Sequence, residues 1–166
     1  MFDSLHTKHS DLAMTEIFRQ RHTGLTALLL ILLSVSLCPA AEMGRIVVHI
    51  EGIKPEQGGN LAVALFDVEG SWPKHNSALM RGVIQATAAT MQFEFNSVPL
   101  SSLYAVQVIH DKNANNKLDF RWFPYPKPKE GVGVSNNDRR IGPPLYEKAL
   151  FPVDGATTNI NIRLNY

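Results

Sequence analysis

Between Asp111 and Asp119 the chain reads DKNANNKLD, which sets carboxylate or amide oxygens at Asp111, Asn113, Asn115 and Asp119. Oxygens at alternate positions on a tight loop suit a hard cation. Calcium takes about six to eight such ligands, from carboxylates, amides and main-chain carbonyls. Counted against a twelve-residue calcium loop, Asp111, Asn113 and Asn115 take the first, third and fifth places. The Lys117 carbonyl takes the seventh, apolar Leu118 the eighth and Asp119 the ninth. Asn116 stands sixth, where the backbone must turn left-handed, and Asn tolerates that conformation better than most residues. At the twelfth place Trp122 replaces the usual bidentate glutamate, so Glu130, the nearest downstream carboxylate, must fold back to complete the set. The expected metal ligands are therefore Asp111, Asn113, Asn115, Lys117, Asp119 and Glu130, with calcium as the ion. Zinc fits less well, because His110 is the one histidine nearby.

The same residues support two other readings. Asp and Asn collect in turns because their side chains bond the local main chain, so a plain structured turn stays open. His110, Asp111, Asp119 and Glu130 also contain an acid, a base and metal ligands, the ingredients of metal-assisted hydrolysis. Paired carboxylates at the right separation would suit glycoside cleavage. No GxSxG elbow and no HExxH supports a hydrolase, and His49 and His75 stand alone. A non-enzymatic binding or accessory module is the leading expectation, a metal-assisted hydrolase the alternative, and no catalytic residue is assigned. A catalytic site would require a concave pocket, whereas a binding platform can be flat.

These residues open a segment from Asp111 to Leu145 that holds five prolines and has no strand period. Loops of that length are usually functional or disordered. Ordering each residue costs roughly 1 to 2 kcal/mol, so packing or an ion must hold the segment down. Phe120, Trp122, Phe123 and Tyr125 would supply packing as a small satellite core beneath the loop. In the contrary reading Trp122, Phe123, Tyr125, Arg139 and Arg140 face a partner, on a platform running from Asp111 to Pro144.

What positions the segment is a set of strands. Ile46, Val48 and Ile50 alternate with polar neighbours or share one face, as do Leu61, Val63 and Leu65. So do Met91, Phe93 and Phe95, then Tyr104, Val106 and Val108, then Ile160, Ile162 and Leu164. Period two predicts antiparallel strands over one core. Gly82 to Ala88 and Tyr146 to Phe151 are weaker strand candidates, and Trp72 to Leu79 is a candidate for a turn or two of helix. Gly58, Gly59 and Asn60 supply the turn between the first two strands. The expected fold is all-β: a single antiparallel β-sandwich of about seven strands with one long irregular loop.

Upstream, Leu25 to Leu37 reads LTALLLILLSVSL, preceded by Arg19, Arg21 and His22 and followed by Ala40 and Ala41. A basic segment, a short apolar core and a small-residue exit are the parts of a secretory signal peptide. The apolar run falls short of the roughly 20 residues a membrane span needs, which makes an uncleaved anchor the weaker reading. Cleavage after Ala40 is expected, giving a leader of residues 1–40 and a sandwich domain of residues 41–166. Met14, followed by TEIFRQR, is a more natural signal start than Met1. Cys38 is the sole cysteine, so the processed chain would have no disulfide and an exported, periplasmic or extracellular address. Its neighbour Leu37 disfavours lipidation. With 16 basic and 15 acidic residues the net charge is +1, which gives no electrostatic case for nucleic acid or for strong adhesion to anionic membranes. Stable membrane insertion after cleavage is not expected, and the ligand or protein partner stays unidentified.

The runs YAVQVIHDKNANNKLDF, PKPKEGVGVSNN and LYEKALFPV carry a resemblance. The pattern is an aromatic-led strand ending in His110-Asp111, an Asn-rich turn closed by Leu118-Asp119, then Pro128, Glu130, Gly131, Gly133, Ser135 and Asn136. This resembles a family of small exported bacterial proteins, domain of unknown function 2141, from about Ile46 to Tyr166. The chain departs from it at Ser102 and Leu103, where a glycine is expected, and in the added aromatics and prolines of FRWFPYPKP. The resemblance implies a transthyretin-like or immunoglobulin-like sandwich outside the cytoplasm, and no particular activity.

Overall fold

Alternation along the chain builds two sheets that close on one core. In the first, β1 (Met43–Glu51) lies between β4 (Thr90–Pro99) and β10 (Thr157–Arg163). In the second, β2 (Asn60–Phe66) lies between β3 (Met80–Gln85) and β5 (Ser102–Asp111). The outer edge of β5 is shared: β8 (Gly131–Val134) pairs with its Gln107–His110 half and β9 (Phe151–Val153) with Ser102–Tyr104. A separate two-stranded hairpin joins β6 (Phe120–Arg121) to β7 (Lys127–Pro128). The computed structural model describes residues 42–100, 102–137 and 142–166, so the expected leader, Arg139 and Arg140 lie outside the described residues. Among the described residues, no helix is long and apolar enough to cross a membrane.

The core is drawn from both sheets. Ile46, Val48, Ile50, Phe95 and Ile162 of the first meet Leu61, Val63, Leu65, Val106 and Val108 of the second. Phe93 and Ile160, expected as core residues, are partly buried and pack against it. The architecture is the expected all-β sandwich.

Several elements differ from expectation. β10 runs parallel to β1, with Val48 opposite Ile160 and Ile50 opposite Ile162, whereas antiparallel pairing was expected throughout. Period two fixes which residues face inward but not the direction of the neighbour, because both pairings present the same faces. Gly58 and Gly59 carry the chain from one sheet to the other, since β1 and β2 do not pair. Tyr146–Ala149 is a single helical turn, α1, and of that candidate strand only Phe151 lies in a strand, as the first residue of β9. The Trp72 to Leu79 segment, a candidate helix, follows one 3-10 turn at Glu69–Ser71 and contains another at His75–Ser77. The Trp72 ring is held edge-on against Phe66 at 5.1 Å and donates its indole N–H to the Pro144 carbonyl at 2.8 Å. The segment from Asp111 to Leu145, expected to be irregular, contains β6, β7, β8 and a 3-10 turn at Ser135–Asn137.

Candidate functional site

β5 ends at Asp111, and the residue before it anchors the loop. His110 is fully buried, and its Nε2 lies 2.7 Å from the Gly58 carbonyl. A carbonyl only accepts, so Nε2 carries a hydrogen and Nδ1 accepts from the Tyr166 hydroxyl at 2.7 Å. That hydroxyl accepts in turn from the Lys54 main-chain N–H at 3.2 Å, and the Lys54 ammonium sits 4.2 Å from the centre of the Tyr166 ring. Burial pushes the Tyr166 hydroxyl up, so it keeps the proton it donates. Gly59, at φ +80°, lies so close beneath the loop that a Cβ there would sit 2.1 Å from the Asp111 carbonyl oxygen. Glycine is required at that crossing.

Past Asp111 the loop is built from Asx hydrogen bonds. The Asp111 carboxylate accepts the main-chain N–H of Asn115 at 3.2 Å and of Asn116 at 2.7 Å. Asn113 Oδ1 accepts from Asn115 N–H at 3.2 Å, and Asn115 Oδ1 from Lys117 N–H at 2.8 Å. Ala114 and Asn116 take positive φ, at 54° and 59°, so the left-handed place expected at Asn116 is there. The side-chain amides of Asn113 and Asn115 both donate to Asp119 Oδ2, at 2.9 and 3.1 Å. Lys117 is exposed, and Leu118 is half-buried without joining the main core.

Glu130 does fold back. It is 2% exposed, and its Oε2 accepts the Asp119 main-chain N–H at 3.3 Å. Its Oε1 is buried without a hydrogen-bond partner. Burial raises the Glu130 carboxyl above its ordinary range; the main-chain N–H groups of Asp119 and Lys112 oppose the shift, and the fields of Asp111 and Asp119 add to it. Asp111, Asn113, Asn115, Asp119 and Glu130 thus form one connected cluster. Beside it lies a recess of about 340 Å³ lined by Lys112, Arg121, Lys127, Pro128, Lys129 and Tyr166, with none of His110, Asp111, Asp119 or Glu130 among the lining residues.

The rest of the motif works as a clasp. The buried Ser135 hydroxyl accepts the Val106 N–H at 3.0 Å and donates to the Ala149 carbonyl. Asn136 donates its amide to the Lys148 and Leu150 carbonyls at 3.1 and 2.8 Å. Asn137 bonds Asn161 and Arg163 of β10 at 3.0 and 2.7 Å. These contacts bind the returning loop to α1 and β10. The aromatic residues, expected as a satellite core, are instead exposed on the β6–β7 hairpin, because two-residue strands lack the area to cover four rings. Their basic companions at the recess escaped the sequence reading, although Lys112, Lys127 and Lys129 were visible in it.

No curated protein and no solved structure matches the chain. Residues 48–161 match the family described as "Uncharacterized protein conserved in bacteria (DUF2141)". That span takes in β2 to β9 with parts of β1 and β10, the Asn-rich loop, the buried Glu130 and the Ser135–Asn137 clasp, and the chain belongs to the DUF2141 family.

Proposed function

We propose that this protein is an exported, non-enzymatic binding module whose platform, Asp111 to Pro144, is stabilised by a bound calcium ion. The observation that carries the reading is Glu130. A carboxylate oxygen enclosed without a partner, beside two further carboxylates, is a costly arrangement that a cation would relieve. Its ligands would be Asp111, Asn113, Asn115, Asp119, Glu130 and the Lys117 carbonyl. Among the described residues, no three His, Cys, Asp or Glu side chains are grouped to hold a metal, so binding would have to draw Asp111, Asp119 and Glu130 together. The amide and carbonyl oxygens among these proposed ligands favour calcium over zinc. The Asn113 and Asn115 oxygens each accept one main-chain N–H and keep a second lone pair for an ion, which would displace the amide bonds to Asp119. Export rests on the tripartite leader, and an intact mass beginning at Ala41 is its check.

Calcium at about a thousand times its dissociation constant would add roughly 4 kcal/mol to folding stability. The wild-type unfolding midpoint should rise on the order of 10 °C with calcium. The midpoint of Asp111→Ala/Asp119→Ala should be the same in calcium and in chelator. Equal wild-type midpoints in the two conditions would leave the loop an Asx-rich turn.

A further inference from the structure

The β6–β7 hairpin carries Phe120, Trp122, Phe123 and Tyr125 exposed within six residues, Trp122 to 74% and Phe123 to 85%. Phe120 and Trp122 lie together, with ring centres 6.0 Å apart. Clustered apolar exposure of this kind marks an interaction surface. The side chains lining the adjacent recess carry charge of one sign. Lys112, Arg121, Lys127 and Lys129 line the recess at the hairpin's base, and one of them, Lys127, is already held by the Tyr166 main-chain oxygen at 2.7 Å. Of the neighbouring carboxylates, Glu130 is buried, and half-buried Asp119 accepts from the Asn113 and Asn115 amides. Four of the sixteen Lys and Arg residues thus lie beside the most exposed aromatics among the described residues, a local excess in a chain of net charge +1.

We propose that this hairpin docks the protein peripherally on an anionic lipid surface. The rings of Trp122 and Phe123 enter the headgroup boundary, where amphipathic aromatics are favoured. Lys112, Arg121 and Lys129 face acidic headgroups at the recess. Stacking on a sugar would use the rings but leave the cationic recess without a role, and an acidic groove on a protein would not favour the projecting apolar tip. The proposal rests on the reading of Asp111 to Pro144 as a binding platform and names its partner; it does not require the calcium ion.

The test uses the full chain and vesicles of phosphatidylcholine with or without phosphatidylglycerol. The wild type should sediment with the anionic vesicles, weakly with the neutral ones, and less as salt rises. Trp122→Ser/Phe123→Ser should lower partitioning by about tenfold or more, and Arg121→Glu/Lys129→Glu by on the order of thirtyfold. Brominated lipid should quench wild-type fluorescence but not that of Trp122→Phe, which separates hairpin docking from adsorption through the apolar leader. Equal partitioning of wild type and variants overturns the proposal. So does retention on cell-wall polysaccharide or a protein partner that depends on the same residues while vesicles are ignored. If vesicles fail and calcium still raises the unfolding midpoint, docking alone is lost and the platform reading stands.

Discussion

The Asp119 main-chain N–H donates to Glu130 Oε2 at 3.3 Å, tying together two residues eleven apart across the whole β6–β7 hairpin. The other Glu130 oxygen has no partner, so this one bond both closes the loop and exposes the cost of closing it.

That cost should be visible against pH. An unfolded glutamate releases its proton near pH 4.3, about its ordinary value, whereas burial holds the folded Glu130 carboxyl higher. Between the two values the folded state binds more protons than the unfolded one, so this group's contribution to stability falls as pH rises. In chelator, the wild type should lose stability relative to Glu130→Gln from about pH 4.3 upward, and the difference should level once the folded carboxyl has ionised. With calcium at neutral pH the order should reverse, because the ion holds the charged form. Urea midpoints across pH, in chelator, are the measurement. A difference independent of pH would contradict the raised value.

A second prediction concerns the support beneath the loop. Tyr166→Phe removes the hydroxyl that serves both His110 Nδ1 and the Lys54 N–H. The fully buried His110 would then hold an unmatched ring nitrogen, at a cost of about 1 to 3 kcal/mol. Urea unfolding should record that loss, with faster hydrogen exchange at Lys54 and Asp111. A loss below about 0.5 kcal/mol would mean the relay is incidental.

The clasp gives a third. Ser135→Ala leaves the Val106 N–H and the Ala149 carbonyl without their shared partner in a buried position. A loss of about 1 to 3 kcal/mol is expected. Ser135→Thr, which keeps the hydroxyl but adds a methyl beside close-packed atoms, should recover only part of it. Full recovery would show that the site has room that burial does not suggest.

How much of this was legible depended on the kind of signal. β1, β2, β4, β5 and β10 were readable because every second residue is apolar, as in Ile46, Val48 and Ile50, and one face is buried. β8 was not, because two of its three buried positions are Gly131 and Gly133. A Cβ at Gly131 would lie 2.6 Å from the Tyr166 ring, so the reason for the missing apolar signal sits 35 positions away in sequence. The parallel partner of β1 was equally invisible, being a relationship between segments more than a hundred residues apart. In the loop, Asp111, Asn113, Asn115 and Asn116 were legible because Asx turns are local. The return of Glu130 could be named as a need of the site, but its enclosure depends on the hairpin folding over it. The recess cations were not linked to the aromatics because hydrophobicity alone assigned those rings to an interior.

That misassignment yields the last prediction, a comparison of two phenylalanines. Phe95 is 2% exposed in the core and packs edge-on against Phe93 at 4.9 Å; Phe123 is 85% exposed at the hairpin tip. Removing the ring by Phe95→Ala forfeits its transfer free energy and leaves a cavity, at roughly 3 to 5 kcal/mol. Phe123→Ala removes the same atoms from water, where they contribute nothing to packing, so its effect should lie within about 0.5 kcal/mol. The two substitutions should therefore separate folding from docking. Phe95→Ala should lower the unfolding midpoint, whereas Phe123→Ala should leave the midpoint in place and weaken association with anionic vesicles. A large stability loss at Phe123 would mean that the ring packs in solution and is not free to dock.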